Sequence, residues 1–150
     1  MIVAGFGCRA GCSVEGLLGA LEQSLERLGR TSAEVVLLCS ADFKREEEGL
    51  GHAARRLQKP LRLFTLAELH GYSAHALTRS ARVLERLGLP SVAETAALAG
   101  AASLRPGASR VRLLGPRHTA NGASCALAIR ERYASADPRL PLDLEAEPAP

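Results

Sequence analysis

Residues 1–13 read MIVAGFGCRAGCS, an apolar run followed by three glycines in a short polar segment. The apolar start predicts a buried β-strand. Gly5, Gly7 and Gly11 fit a tight turn after that strand, because glycine adopts backbone conformations that other residues avoid. Ser13 is a suitable N-cap for an amphipathic helix, which the leucine spacing of the following residues predicts. A strand, a glycine turn and a helix in this order favour an α/β protein.

The rest of the chain continues this alternation. Two further buried strands are predicted at residues 34–40 and 61–64, and a helix is predicted over residues 74–87. Two late strand-like runs, residues 111–115 and 123–131, are separated by an Asn-Gly turn pair. We therefore predict a three-layer α/β/α fold with a mostly parallel mixed sheet of about five strands and a C-terminal antiparallel hairpin.

Composition supports one folded domain. The 150 residues are 47% hydrophobic and 23% charged, which is ordinary for a globular protein. We predict one domain over residues 1–135 and a mobile, proline-rich, acidic tail over residues 136–150. No apolar run is long enough to cross a membrane, and the first residues do not resemble a secretion signal. We expect a cytoplasmic protein with reduced cysteines.

The charge distribution gives little support for nucleic-acid binding. The formal net charge is +3, the basic residues are scattered, and the chain has only three Phe and two Tyr for stacking on bases. Because the tail carries more acids than bases, the body of the chain is more basic than this net charge suggests. A modestly basic body favours a small anionic ligand, and we predict neither a nucleic-acid nor a membrane partner.

The glycine segment is the first candidate ligand site, because ligands of open α/β sheets gather at the carboxyl ends of the strands. Free N–H groups at the helix start favour an anion, and the Arg9 guanidinium suits a carboxylate. The alternative is that Gly5 and Gly7 only permit the turn. A dinucleotide-binding loop fits poorly, since Ala10 stands where the third glycine belongs, and no P-loop is present. A nucleotide-binding domain stays an alternative, and no cofactor is predicted.

Two later turns are expected to share one hollow with this segment. Asp42, Lys44 and Glu48 follow the second strand, and Arg117 and His118 lie between the late strands. Lys44 and Arg117 could bind an anion, whereas Asp42, Glu48 and His118 are the candidates for handling protons. A solvated helix start and a surface hairpin are the alternatives, and no Ser-His-Asp arrangement can be assembled.

The cysteines do not predict a metal site. Cys8 and Cys12 are separated by four positions, unlike a C-x-x-C pair, and the four histidines show no paired ligand spacing. Cys39 and Cys125 lie in apolar strands, where a thiol acts as a small hydrophobic group. A reactive Cys8 thiolate at a helix N-terminus is an alternative, but we expect the cysteines of the glycine segment to be structural.

Taken together, four segments resemble one family, that of CobE and the C-terminal domain of CbiG. The family pattern comprises a G-x-G-C-R-x-G opening, a D-x-K-x-x-E-x-G-L segment and an S-V-A-E-x-A-A-L helix start. A fourth segment, LRLFTLAEL, also fits, and the resemblance covers about residues 2–130. Two departures are that Glu48 comes one position late and that Arg117 replaces the usual lysine after Pro116. The matching positions implied to bind ligand are Gly5, Gly7, Cys8, Arg9, Gly11, Ser13, Asp42, Lys44, Ser91, Glu94 and Arg117.

The resemblance implies a function in cobalamin biosynthesis. A stand-alone protein of the CobE type is implied to bind a carboxylate-rich precorrin or corrinoid intermediate at the strand ends, with other corrin-pathway enzymes as further partners. The alternative is a hydrolase that opens the ring lactone of a cobalt-containing precorrin and releases acetaldehyde, as CbiG does. A large, flat, carboxylate-rich ligand suits a cleft with apolar walls and basic side chains.

Overall fold

A computed structural model of the chain describes residues 1–104 and 109–132. The predicted tail at residues 136–150 lies outside the described residues. Three single 3₁₀ turns, Ser32–Glu34, Asp42–Lys44 and Ser73–His75, occur between the longer elements. The helices and strands, in chain order, are β1 (Ile2–Cys8), α1 (Val14–Arg27), β2 (Val35–Ala41), α2 (Glu48–Leu57), β3 (Leu61–Phe64), α3 (Leu66–His70), α4 (Ala81–Leu87), α5 (Val92–Ser103), β4 (Ser109–Leu113), β5 (His118–Ala120) and β6 (Ala123–Arg132).

One mixed sheet organises these elements. Its strand order is β3-β2-β1-β6-β4, and β5 pairs with β6 outside this row. β1, β2 and β3 are mutually parallel, whereas β6 runs antiparallel to β1, β4 and β5. One core, packed on α1 and α2, covers one face of the sheet, and a second core, packed on α5, covers the other. The predicted α/β architecture is confirmed.

The described residues form six strands rather than about five, because three-residue β5 has no periodic pattern to reveal it. It joins β6 through Asn121 and Gly122, which both have positive φ angles of 53° and 82°. These angles match the hairpin turn that an Asn-Gly pair favours. The predicted antiparallel hairpin is therefore present, with β5 as its first strand.

The continuous helix predicted over residues 74–87 is interrupted. A single 3₁₀ turn, Ser73–His75, is followed by a non-helical segment, and α4 begins only at Ala81. The backbone N–H groups of Leu77 and Thr78 bond to a side chain of another helix, so they are not available to continue a helix. A tertiary contact thus overrides the local pattern.

Helix α5 packs unusually close to the sheet. Every residue from Val92 to Ala101 is buried, and most of these residues are alanine or glycine. Gly5 of β1 lies against the backbone of α5, where a Cβ atom at Gly5 would collide with the carbonyl oxygen of Ala93. Small residues on both elements therefore set the spacing between α5 and the centre of the sheet.

We predict that Gly5→Ala destabilises the fold by roughly 2–3 kcal/mol, because the added methyl group meets backbone atoms that cannot rotate away. Gly19→Ala in α1 is the matched control. A Cβ atom there would lie 3.9 Å from the Asn121 side chain, an ordinary contact, so it should be neutral or stabilise by up to about 1 kcal/mol. Urea unfolding followed by circular dichroism measures both, and equal stability of the two variants would contradict the close packing.

Buried thiols should make the stability fall in alkali. Burial raises the pKa of Cys125 from 9.0 to about 12, and it does the same for Cys39. Since the unfolded chain loses these protons first, stability is complete below pH 9 and falls as the pH rises toward 12. Above pH 9, each buried thiol should lower the free energy of unfolding by about 1.4 kcal/mol per pH unit.

Comparison of the wild type with Cys125→Ala at pH 7.5, 9 and 10 isolates the contribution of this thiol. The cavity left by the substitution shifts stability equally at every pH, so only the slope differs. The variant should lose less stability between pH 9 and 10 than the wild type. Identical slopes would mean that Cys125 ionises as easily in the folded protein as in the unfolded chain.

Candidate functional site

A cavity of about 610 Å³ lies at the carboxyl ends of β1 and β2. Its wall combines the end of β1 and the residues that follow it, the turn after β2, the segment between β4 and β5, and α4. The three turns singled out in the sequence are thus brought together around one hollow. The lining residues are Gly7, Cys8, Arg9, Ala10, Phe43, Lys44, Ser80, Arg82, Val83, Arg86, Leu87, Val92, Ala93, Arg117, Thr119, Gly122 and Ser124.

The charge of this cavity is entirely of one sign. Five of its lining residues are basic, and none of the residues that line it is Asp or Glu; the basic ones are Arg9, Lys44, Arg82, Arg86 and Arg117. Low-dielectric walls that carry charge of one sign concentrate the field and attract oppositely charged ligands. Guanidinium groups also match the planar fork of a carboxylate. The cavity is therefore chemically suited to a ligand with several anionic groups.

Apolar side chains form a second part of the wall. Phe43 is 44% exposed, and its ring lies under the Lys44 ammonium, with Nζ 5.4 Å from the ring centroid. Val83 and Leu87 of α4 line the same cavity. Such a mixture of apolar surface and a few charged groups is typical of sites for organic ligands.

The shape of the cavity wall depends on the buried carboxyl group of Glu94. This side chain has no solvent exposure and accepts four hydrogen bonds. Oε1 accepts from the backbone N–H groups of Leu77 and Thr78, both at 2.8 Å. Oε2 accepts from the Thr78 hydroxyl at 2.7 Å and from the Arg117 backbone N–H at 2.8 Å. One side chain of α5 thereby fixes the segment before α4 and the segment that carries Arg117.

Ser91 and Glu94 thus lie inside the protein and do not line the cavity. The Ser91 hydroxyl caps α5 by accepting from the Glu94 backbone N–H at 3.2 Å. Only this half of the capping box is used, because the Glu94 carboxyl group points to the two neighbouring segments instead. Their contacts position the site, and direct ligand binding by either residue stays a prediction.

The other predicted ligand-binding residues, and the proton-transfer candidate Glu48, lie in different places. Gly7, Cys8, Arg9, Lys44 and Arg117 line the cavity. Gly11, Ser13 and Glu48 line a separate depression of about 460 Å³ beside α2, where Ser13 also caps α1 by accepting from the Gly16 N–H at 2.9 Å. Gly5 is buried against α5, and Asp42 begins a 3₁₀ turn without lining either hollow.

The three candidates for proton transfer are not assembled into one site. Asp42 and Glu48 do not line the basic cavity, and neither does His118. The His118 ring is held against α1 instead, with Nδ1 2.8 Å from Arg27 Nη1 and Nε2 2.6 Å from Gln23 Oε1. Among the residues that line the cavity, no carboxyl group or imidazole is available as a general base.

Cys8 lines the cavity as a protonated thiol. Burial raises the pKa of Cys8 to about 12, and a hydrogen bond with Cys12 adds to the shift. Lys44 acts in the opposite direction but is outweighed. This shift disfavours the thiolate of free Cys8 near neutral pH, because desolvation outweighs the nearby lysine. A reactive Cys8 stays an alternative.

Arg82 and Arg86 of α4 were missed by the sequence analysis. They are four positions apart, so they lie on one face of the helix, and this spacing was a visible signal. It carried no information by itself, because many exposed helices carry arginines at such a spacing. Arg82 and Arg86 belong to the site only because the fold places α4 beside the carboxyl ends of β1 and β2.

The sequence profile described as "Cobalamin synthesis G C-terminus" matches residues 2–128. The chain belongs to this family. The resemblance to CobE and the C-terminal domain of CbiG is confirmed, and the chain is a cobalamin biosynthesis protein of this type. The alternative of an unrelated nucleotide-binding domain is wrong. No curated protein sequence is significantly similar to the chain.

Solved structures give the same assignment. CobE, a protein from the cobalamin (vitamin B12) biosynthetic pathway, has a solved structure and shares 44% sequence identity with this chain. The two superpose with a TM-score of 0.81, and the match covers 88% of this chain and 93% of that one. The cobalamin biosynthesis protein chiG from Agrobacterium tumefaciens is 32% identical, with a TM-score of 0.65 over 86% and 98%. A cobalamin biosynthesis protein G homolog from Sulfolobus solfataricus shares the fold at 20% identity, with a TM-score of 0.63 over 85% of this chain and 36% of that longer one.

None of the helices within residues 1–104 and 109–132 is both long and apolar enough to cross a bilayer.

Glu94→Gln should destabilise the protein by about 2 kcal/mol or more, because the amide NH₂ would face donors that now bond to a carboxyl oxygen. Glu68→Gln is the control, since Glu68 makes a similar backbone contact in an exposed capping box and should cost less than 1 kcal/mol. Urea unfolding compares the two. A Glu94→Gln variant as stable as Glu68→Gln would show that the four hydrogen bonds do not hold the wall together.

Proposed function

We propose that this protein binds a carboxylate-rich corrin-ring intermediate in the basic cavity, and that it holds the intermediate rather than transforms it. The family places the chain in cobalamin biosynthesis, and the cavity supplies the chemistry that such a ligand needs. The single observation that carries the proposal is the set of five basic side chains around a hollow whose lining includes no acidic residue.

The two parts of the cavity wall match the two parts of such a ligand. Corrin-ring intermediates are large, flat and rich in carboxylates at their edges. Arg9, Arg82 and Arg86 can each form charge-assisted hydrogen bonds with a carboxylate. Phe43 and Leu87 offer apolar surface to the face of the ring. We infer that the ring lies across the opening of the cavity with several carboxylates directed inward.

Binding is favoured over lactone hydrolysis because the lining residues include no carboxyl group or imidazole that could act as a general base. The side chains predicted to activate water for opening a lactone, Asp42, Glu48 and His118, all lie away from the cavity lining. The guanidinium groups would bind the carboxylates of substrate and transition state alike, and such uniform binding does not accelerate the chemical step. A carrier that protects a labile intermediate between enzymes fits this arrangement.

Titration with a corrin polycarboxylic acid, followed by the visible spectrum of the ligand, tests the proposal. Arg82→Ala and Arg86→Ala should each weaken binding roughly 10–100-fold, because each removes a charged hydrogen bond worth about 1.5–3 kcal/mol. Added salt should also weaken binding, since the attraction is electrostatic.

Two controls make this titration specific. Arg56→Ala removes an exposed arginine of α2 that does not line the cavity, and it should leave the dissociation constant unchanged. A corrin whose carboxylates have all been converted to amides should bind much more weakly than the acid. Equal affinity for acid and amide, or equal effects of Arg56→Ala and Arg82→Ala, would contradict recognition of carboxylates by this cavity.

We further expect no release of acetaldehyde when the purified protein is incubated with a lactone-bearing precorrin. The lining residues provide no proton acceptor for attack on the lactone, so the substrate should be recovered unchanged. A CbiG preparation serves as the positive control. Acetaldehyde above the enzyme-free background, lost in Glu48→Gln or His118→Gln, would establish the hydrolase instead.

A further inference from the structure

A second group of reactive side chains lies beside the basic cavity. The sulfur atoms of Cys8 and Cys12 and a carboxyl oxygen of Glu47 all lie within 4.8 Å of one another. Cys8 and Cys12 belong to the glycine segment, and Glu47 is the residue just before α2. The spacing of the two cysteines in the sequence does not predict a metal site. The fold supplies the third ligand from a distant part of the chain.

The three side chains are held in place by contacts between the two segments. The Gly11 N–H donates to Glu47 Oε1 at 2.9 Å, so the glycine segment is closed onto the carboxyl group. The Cys12 N–H donates to the Arg9 carbonyl at 3.1 Å, which fixes the turn between the cysteines. A Cβ atom at Gly49 would lie 2.8 Å from the Cys12 carbonyl oxygen, so the missing side chain allows α2 to approach. These contacts pre-form the group.

Two sulfur ligands and one carboxylate define the class of metal. Thiolates favour borderline-soft divalent ions such as Zn²⁺ and Co²⁺, whereas Mg²⁺ and Ca²⁺ favour sites made of oxygen alone. Three protein ligands with one open position are also the usual arrangement of a zinc ion that retains water. We propose that Cys8, Cys12 and Glu47 form a three-ligand site for a thiophilic divalent metal, with Zn²⁺ as the first candidate.

The surroundings of the group suit a cation that stays accessible. Cys8, Cys12 and Glu47 are all half-buried, so neither solvent nor the metal is excluded. Cys12 and Glu47 line the depression beside α2, together with Glu46 and Glu48. These acids favour a cation on that side, in contrast to the basic cavity on the side of Cys8. Water from the depression completes the coordination, and each thiol releases its proton to solvent on binding.

The test uses Co²⁺ as a spectroscopic probe, added without oxygen to the purified, fully reduced protein. One equivalent should produce the near-ultraviolet absorption of thiolate-to-cobalt charge transfer, and Zn²⁺ should then abolish it by displacement. Zn²⁺ alone should raise the Tm, because a ligand that binds only the folded state stabilises it. No corrin is needed, so the metal site and the corrin-binding proposal can fail independently.

Variants assign the ligands. Cys12→Ser should remove about half of the charge-transfer intensity and weaken binding at least ten-fold. Glu47→Gln should also weaken binding about ten-fold or more, although its amide oxygen can still accept from the Gly11 N–H and preserve the turn. Glu46→Gln, which changes an acid of the same depression, and Cys125→Ala, which removes a buried thiol, are the matched controls. Both should bind Co²⁺ with the affinity and charge-transfer intensity of the wild type.

Absence of charge-transfer absorption in the wild type would overturn the site, and so would equal Co²⁺ affinity in Cys12→Ser and Glu46→Gln. Circular dichroism of each variant without metal shows whether it folds. If Cys12→Ser fails to fold, Glu47→Gln decides, since this substitution keeps the hydrogen bond that joins the two segments. Unchanged Co²⁺ affinity in a folded Glu47→Gln variant would show that the carboxylate is not a ligand, and the proposed three-ligand site would then be wrong.

Discussion

The carboxyl group of Glu94 links the segment before α4 to the segment between β4 and β5. It is fully buried in α5, the helix that packs closest to the sheet, and its two oxygens reach two segments that have no regular structure of their own. A buried acceptor is costly unless donors satisfy it, and here four donors do so. The segment before α4 and the segment that carries Arg117 therefore keep fixed positions relative to β1, and the basic cavity exists because of this.

The same end of the sheet presents two chemically opposite surfaces. On one side, arginines of α4 meet Lys44 and Arg117 around a hollow suited to carboxylates. On the other side, thiols of the glycine segment meet acidic residues at the start of α2, where a cation is favoured. Cys8 belongs to both surfaces, because the glycine segment runs between them. A short loop thus separates the basic cavity from the acidic depression at the carboxyl ends of the parallel strands.

The sequence allowed much of the fold to be predicted, because strands and helices with a clear period are specified locally. The parallel strands, the Asn-Gly hairpin and the α5 N-cap at Ser91 all follow from neighbouring residues. The turn predicted at Gly5 and Gly7 was wrong, because both residues lie within β1 and pair with β6. The helix predicted over residues 74–87 begins only at Ala81, because the Glu94 carboxylate accepts hydrogen bonds from the Leu77 and Thr78 N–H groups. Arg82, Arg86 and Glu47 were missed for a related reason, since a charged residue shows its partner only when the chain has folded.

By itself, the sequence determined the α/β class, the family and the three turns that meet at the strand ends. Periodicity, turn residues and short motifs act between positions that are close along the chain, so they can be interpreted without coordinates. Only the tertiary structure decided which residues of those turns line a cavity, which are buried as Ser91 and Glu94 are, and which meet as Cys8, Cys12 and Glu47 do. Burial and side-chain convergence depend on how distant segments pack, and no local pattern encodes that packing.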